Sequence, residues 1–261
     1  MIRLKPYLFA LFLILVASCS RDDGNNTAEE EREQVLGSAA RDFLTDEEFT
    51  SIQLEIGYVQ GFRPTETSIE ELVDFLLKHC HKPEDVTITY TVVPPMSADA
   101  TLSTDQVRTI ESDNRTVYNN GSELGVWVFF AGNSSERDEG NSVVLGTAYS
   151  NTSCVVYQKT IQDINNTITG GSISRIESTA LQHEFGHLFG LVNLGTDMVI
   201  GHQDTVTDDE GNTAPGSHCN VEGCLMYFQT VTNLFSMALG SGPIADLDEL
   251  CVNDLRANGG K

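Results

Sequence analysis

The pattern H-E-x-x-H, formed by His183, Glu184 and His187, constrains this chain of 261 residues more than any other feature. On a helix, residues four apart lie on one face, so both imidazoles can reach one tetrahedral Zn²⁺. Glu184 follows the first histidine and can reach a water molecule on that metal, from which a carboxylate can take a proton. The pattern therefore predicts a helix that carries a zinc site and a general base.

The flanking sequence favours a helix at this place. Ser174 and Glu177 have the spacing of a capping box, which predicts a helix start just upstream. Gly190 predicts the point where the helix stops and the chain turns back toward the metal. The alternative is that His183 and His187 are ordinary helix-surface histidines, which would require neither the cap nor the glycine.

The extended pattern H-E-x-x-H-x-x-G, over residues 183–190, resembles the opening of the metzincin signature of zinc metallopeptidases. That signature places a third zinc ligand at the position of Asn193, and an amide is a poor zinc ligand. Residues 218–226 read H-C-x4-C-x-M, which resembles the continuation of the signature in archaemetzincins. The resemblance implies His218 as the third ligand, beyond an acidic loop inserted over residues 194–217.

Other third ligands stay open at this point. His202 lies inside the inserted loop, and Asn193 and Asp197 lie near the exit of the helix. The resemblance also implies a role for Met226, as the methionine of the turn beneath the metal. There it would form a soft apolar floor for the imidazoles.

A strand is predicted over residues 143–149, before the zinc helix. In metzincins a strand at this place forms the sheet edge that borders the cleft and binds the substrate as an added antiparallel strand. Gly146 and Ala148 are small enough to let a peptide backbone approach. The resemblance thus implies that Gly146, Thr147 and Ala148 bind the substrate, and an ordinary edge strand is the alternative.

The cysteines around the signature suggest a disulfide. Archaemetzincins carry a further C-x-x-C that completes a second zinc site, whereas here only Cys251 follows the methionine. We expect Cys219 and Cys224 to form a short disulfide that pins the turn carrying His218, and a partial metal site with Cys251 is the alternative. The expected cofactor is therefore one catalytic Zn²⁺.

The N-terminus has the form of a bacterial lipoprotein signal peptide over residues 1–18. Basic residues precede an apolar run, which is too short to span a membrane, and Val16-Ala17-Ser18-Cys19 reads as a lipobox. Cleavage before Cys19 and lipidation of its thiol would anchor the protein. Ser20 resembles lipoproteins of the Gram-negative outer membrane, facing the periplasm or the cell surface. An ordinary cleaved signal is the alternative.

Composition agrees with a location outside the cytoplasm. The formal net charge of −23 argues against a nucleic-acid or anionic-membrane partner. Residues 19–34 are polar and acidic and are predicted to be a flexible tether. Residues 35–261 are predicted to be the catalytic domain, with an upper subdomain to about residue 190 and a lower one from about residue 191.

The order of predicted elements indicates an α+β fold. Besides the zinc helix, the expected strands cover 52–59, 86–93, 124–131, 143–149 and 154–160, and the expected helices cover 68–79, 103–112 and 244–257. This order resembles that of metzincins. The resemblance implies a mixed twisted sheet and an active-site helix above a smaller, irregular C-terminal subdomain.

The predicted activity is zinc-dependent hydrolysis of peptide bonds outside the cytoplasm, with Glu184 activating the water. The resemblance favours a metalloendopeptidase over an aminopeptidase. One alternative is a catalytically silent lipoprotein that keeps the fold for binding, although binding alone would not require Glu184. Another is a zinc hydrolase of different fold, in which Glu222 or Glu249 is the third ligand.

Overall fold

A computed structural model describes residues 29–30, 32–140, 142–167, 170–208, 210–227 and 244–261. The predicted signal peptide, Cys19 and most of the predicted tether lie outside the described residues. Contacts with the folded part begin at Arg32, whose guanidinium donates to the Tyr118 hydroxyl at 2.8 Å. Within the described ranges, no helix is both long and apolar enough to cross a bilayer.

A mixed sheet forms the centre of the molecule. The strands of the described chain are β1 (Ser51–Val59), β2 (Val86–Val93), β3 (Thr101–Leu102), β4 (Glu123–Phe130), β5 (Ser134–Ser135), β6 (Gly146–Ala148), β7 (Ser153–Val156), β8 (Gln203–Thr207) and β9 (Thr213–Cys219). Five of them lie in the order β2-β1-β4-β7-β6, with β6 antiparallel to β7 and the other pairs parallel. The short strand β6 therefore forms one edge of the sheet.

Helices are interspersed with the strands along the chain. The helices of the described residues are α1 (Ala40–Leu44), α2 (Glu66–His79), α3 (Thr104–Asn114), α4 (Gln158–Thr167), α5 (Ile173–Leu188) and α6 (Glu249–Ala257). With the mixed sheet, they confirm the predicted α+β class.

The core lies on both faces of the central strands. Along β4, Val126 and Val128 belong to a large cluster that includes Phe185 of α5, whereas Trp127 and Phe129 belong to a second cluster. This alternation follows from the period of two in a strand. Because both faces are covered, β4 is an apolar run that is buried almost throughout.

The predicted start of helix α5 was wrong. Buried polar contacts hold this part of the helix against the start of α2. It begins at Ile173, and Ser172 is its N-cap residue without a side-chain capping bond. The carboxylate of Glu177 accepts from the Thr65 and Ser68 hydroxyls at 2.5 and 2.8 Å instead of capping the helix. Tertiary donors thus replace the predicted capping box of Ser174 and Glu177.

Other predicted boundaries also need correction. Helix α2 is capped by Thr65, whose hydroxyl accepts from the Ser68 N–H at 3.3 Å, so it starts before the predicted residue 68. Residues 158–160 begin α4 rather than ending a strand. The last helix starts at Glu249, after the cap Asp248, and not at residue 244. The inserted segment, predicted as a loop, contains the antiparallel hairpin β8–β9.

Candidate metal and active site

Helix α5 carries His183, Glu184 and His187 in its last turns. It ends at Leu188, and the N–H of Gly190 bonds the His187 carbonyl at 3.0 Å. Gly190 has a φ of +74°, the left-handed conformation that glycine adopts at helix ends. The helix therefore ends next to Gly190, and the turn of the chain back toward the metal stays a prediction.

Three histidines converge beside the end of this helix. The group His183, His187 and His218 offers one ligand atom per residue, and these atoms lie within 4.8 Å of one another. Ring centroids are 4.8 Å apart for His183 and His187, and 5.3 and 5.4 Å from these rings to that of His218. His218 reaches the group from the end of β9. Such a group could hold a metal ion.

All three imidazoles favour the neutral form that binds metals. Burial lowers the pKa of His183 to about 4 and the pKa of His187 well below its ordinary value. Burial also lowers the pKa of His218, against the opposing charge of Asp204. Neutral rings can coordinate a cation without first losing a proton.

Hydrogen bonds orient the rings and leave nitrogens for a ligand. Nδ1 of His183 lies 2.8 Å from the carbonyl oxygen of Leu225, so Nε2 of that ring is available. Nδ1 of His187 is buried and bonds no described residue, which leaves a nitrogen of this ring unsatisfied. A group of three neutral imidazoles fits a Zn²⁺ ion.

Glu184 lies between this group and the edge strand β6. Its Oε2 accepts the N–H of Ala148 at 2.7 Å. Burial raises the pKa of Glu184 to about 8, while the Ala148 bond and the charge of Arg137 oppose that rise. A Cβ on Gly146 would lie 2.6 Å from Oε1 of Glu184, so only glycine leaves room for the carboxylate here.

A cavity of about 280 Å³ joins these elements. Its walls include the three histidines, Glu184 and the whole of β6. Gly146, Thr147 and Ala148, predicted to bind substrate, therefore face the same cavity as the candidate metal ligands. Leu36 and Arg137 also line it.

Met226 lies against the helix that carries the pattern. Its side chain is fully buried, and a Cβ on Gly186 would come within 2.2 Å of its sulfur. Gly186 therefore lets the methionine approach the backbone between the two helix histidines. Its role as a floor beneath the metal stays a prediction.

The other candidate third ligands lie outside the histidine group. Nε2 of His202 is 3.4 Å from Sγ of Cys251 and 3.5 Å from Oδ2 of Asp254. Asn193 is exposed in a left-handed conformation with a φ of +62°, and Asp197 is exposed. Glu222, considered for a different fold, is also exposed and does not join the group.

The described residues contain a second group of possible metal ligands. Cys219, Cys224, Asp248 and Cys251 place one ligand atom each within 4.8 Å of the others. Hydrogen bonds from Cys224 and Cys251 lower the pKa of Cys219 to about 4. Such a group could hold a metal ion through thiolates. No disulfide joins the cysteines that the structure describes, and the Cys219–Cys224 disulfide stays a prediction.

Sequence reasoning missed three residues at these sites. Asp248 stands three residues before Cys251, and the D-x-x-C spacing could have indicated it. Asp204 bonds the backbone N–H of His218 at 3.0 Å, a contact that depends on the unpredicted hairpin. Arg137 reaches the cavity from the loop after β5, where no local pattern marks it.

The comparisons with known proteins add no family to this picture. The chain matches no protein-family model and no curated protein.

Proposed function

We propose that this protein is a zinc-dependent metallopeptidase of the metzincin type. The observation that carries the proposal is the convergence of His183, His187 and His218 beside the buried carboxylate of Glu184, in a cavity walled by a sheet edge. Three histidines and a nearby carboxylate are the donor set of a catalytic zinc site with a general base. The resemblance of residues 183–190 and 218–226 to the metzincin signature agrees with it.

His183, His187 and His218 would hold the metal. When bound, Zn²⁺ lowers the pKa of water and polarises a carbonyl group. Glu184 would orient the attacking water, take its proton and deliver that proton to the leaving amine. Burial raises the pKa of this carboxylate, which favours the uptake of a proton from the water. The Ala148 N–H would hold the carboxylate in place.

The edge strand would bind the substrate. Strand β6 pairs with β7 on one side only and lines the cavity. An extended peptide could pair with its other side and pass Glu184, since Gly146 packs directly against that carboxylate. Binding of an extended chain across the cleft suits an endopeptidase that acts on proteins or peptides.

The second group would hold a structural metal. Cys219 and Cys224 flank the turn between His218 and Met226, and Cys251 and Asp248 connect that turn to α6. A metal there would fix the segment that supplies the third histidine. From the lipobox over residues 16–19 we also propose that the enzyme is lipid-anchored in the cell envelope, with residues 19–34 as its tether.

The test uses the form that starts after Cys19 and its Glu184→Gln variant. We expect the wild type to bind zinc and cleave peptides from a mixed library, and Glu184→Gln to keep zinc and lose at least about 100-fold in kcat. Zinc content by elemental analysis separates loss of the base from loss of the metal. Zinc binding without any Glu184-dependent cleavage would favour the binding lipoprotein instead.

A further inference from the structure

We propose that Arg137 determines specificity by binding a carboxylate of the substrate beside the edge strand. The inference rests on the proposed peptidase function and adds the substrate class to it. Arg137 lines the same cavity as the candidate metal ligands and Glu184. An arginine keeps its charge at every physiological pH and binds carboxylates through two parallel hydrogen bonds.

Hydrogen bonds to the edge strand β6 hold the Arg137 guanidinium in position. Its NH2 group donates to the hydroxyl of Thr147, and that hydroxyl donates to the Gly146 carbonyl at 2.7 Å. Gly146 in turn packs against the Glu184 carboxylate. A peptide that pairs with β6 would therefore pass Arg137 close to the peptide bond that is hydrolysed with Glu184 as the general base.

The guanidinium forms no ion pair within 4.0 Å in the part of the chain that the structure describes, and its charge acts on Glu184 from a greater distance. The ion pairs of that part involve other cations, such as Arg41 with Glu47 and Arg115 with Glu111. The neighbouring Asp138 uses its Oδ1 to accept the Val144 N–H at 2.8 Å. Arg137 is also exposed, so its remaining N–H groups face solvent and the cavity.

The negative charge of the whole molecule makes the positive charge of Arg137 a selective site for substrate carboxylates. With a formal net charge of −23, the protein repels anionic peptides in general. Among the described residues that line the cavity, Arg137 and Glu184 are the only charged side chains besides the histidines. Apart from a bound metal ion, Arg137 is therefore the positive charge beside which a substrate carboxylate is favoured.

The carboxylate could belong to an Asp or Glu side chain or to the C-terminus of the substrate. Matched peptides distinguish these sources: Glu against Gln at each position around a cleaved bond, and a free C-terminal acid against its amide. We expect the wild type to prefer one carboxylate form by about 10-fold or more in kcat/KM. A preference for the internal Glu would indicate a side-chain pocket, and a preference for the free acid would indicate recognition of the terminus.

Variants of Arg137 test its part in this preference. We expect Arg137→Ala to abolish the preference, measured as the ratio of kcat/KM within each peptide pair, and Arg137→Glu to favour Lys at the same position. Arg137→Lys should keep part of the preference, because lysine has the positive charge but cannot form the two parallel hydrogen bonds of a guanidinium. The matched control is Arg256→Ala, which removes an exposed arginine of α6 that does not line the cavity. An unchanged preference in Arg137→Ala would overturn the proposal.

A binding measurement keeps this result separate from the proposed activity. Zinc-loaded Glu184→Gln, with and without Arg137→Ala, is titrated with the same peptide pairs by calorimetry. Tighter binding of the carboxylate peptide only when Arg137 is present supports the proposal even if the wild type cleaves nothing. Equal binding of both peptides in the presence of Arg137 refutes it, whatever the wild type cleaves.

Discussion

Asp204 holds His218 from the neighbouring strand of the inserted hairpin. Its Oδ1 accepts the His218 N–H at 3.0 Å, and its Oδ2 lies 3.9 Å from Nδ1 of the imidazole. Gly216 makes room for this carboxylate, since a Cβ there would lie 2.0 Å from Oδ1. A carboxylate behind a metal-binding histidine fixes the ring and increases its basicity. The insertion over residues 194–217 thus supplies a support for His218, which directly follows it.

Replacing Asp204 should therefore weaken metal binding at the histidine group. We expect Asp204→Ala to lower zinc affinity about 10- to 100-fold, because His218 loses its orientation. Competition with a chromophoric chelator measures the change. Asp208→Ala is the matched control, since that exposed aspartate bonds only the turn of the same hairpin. Equal affinities for the two variants would show that His218 needs no support from Asp204.

Gly146→Ala should impair turnover without removing the metal. The added methyl group would lie 2.6 Å from Oε1 and 2.7 Å from Cγ of Glu184, so the carboxylate must move. A shift of about 1 Å at a catalytic group can cost about 100-fold in rate. We expect kcat to fall by that order with unchanged zinc content. Gly201→Ala, which meets nothing within 4 Å, is the control. A change in KM alone would indicate obstruction of the substrate instead.

The sequence predicts the parts of this fold that depend on local pattern. The i, i+4 spacing of His183 and His187 requires only a helix, and Gly190 ends that helix by a local conformational preference. Strand β2 is found at its predicted residues, 86–93, because β-branched residues dominate it. These features needed no knowledge of distant contacts.

Features that depend on tertiary contacts escaped prediction. Glu177 has the spacing of a capping residue, but buried donors from α2 hold its carboxylate. The hairpin β8–β9 is polar and largely exposed, so it lacks the alternation that marks a half-buried strand. Arg137 and Asp204 act across space on the edge strand and on His218. Such pairings arise from the fold and leave no periodic signal.

Cys251→Ser should remove one metal ion per chain and destabilise the protein. Cys251 belongs to the thiol group with Cys219, and the Cys219 N–H bonds the Met226 carbonyl at 2.8 Å. We expect the metal content to fall from two ions to one, and the free energy of unfolding to fall by at least about 3 kcal/mol. Elemental analysis and urea unfolding measure both.

The control for this change is Cys154→Ser, which alters a buried cysteine outside either group. It should keep both ions, although it can lose stability through burial of a hydroxyl group. A disulfide between Cys219 and Cys224 in the purified protein, with a single bound metal, would instead support the pairing expected from the sequence.

His79 should make stability depend on acid pH in a region separate from the metal site. Its ring is 2% exposed, packs on Phe75 at 4.8 Å between centroids, and has neither nitrogen bonded to a described residue. Burial, reinforced by Lys78, lowers its pKa from 6.5 to about 4. The unfolded chain therefore binds a proton that the folded protein excludes between these values, and stability falls as the pH drops through this window.

His79→Leu removes the titratable imidazole and packs an apolar side chain against Phe75. Relative to the wild type, the variant should gain up to about 3 kcal/mol in free energy of unfolding as the pH falls from above 6.5 to about 4. Urea unfolding of both proteins at each pH measures the difference, in which the titration of the candidate metal-binding histidines cancels. His81→Leu, at an exposed position, should show no such gain. A difference that stays constant with pH would mean that His79 takes up its proton equally in the folded and unfolded protein.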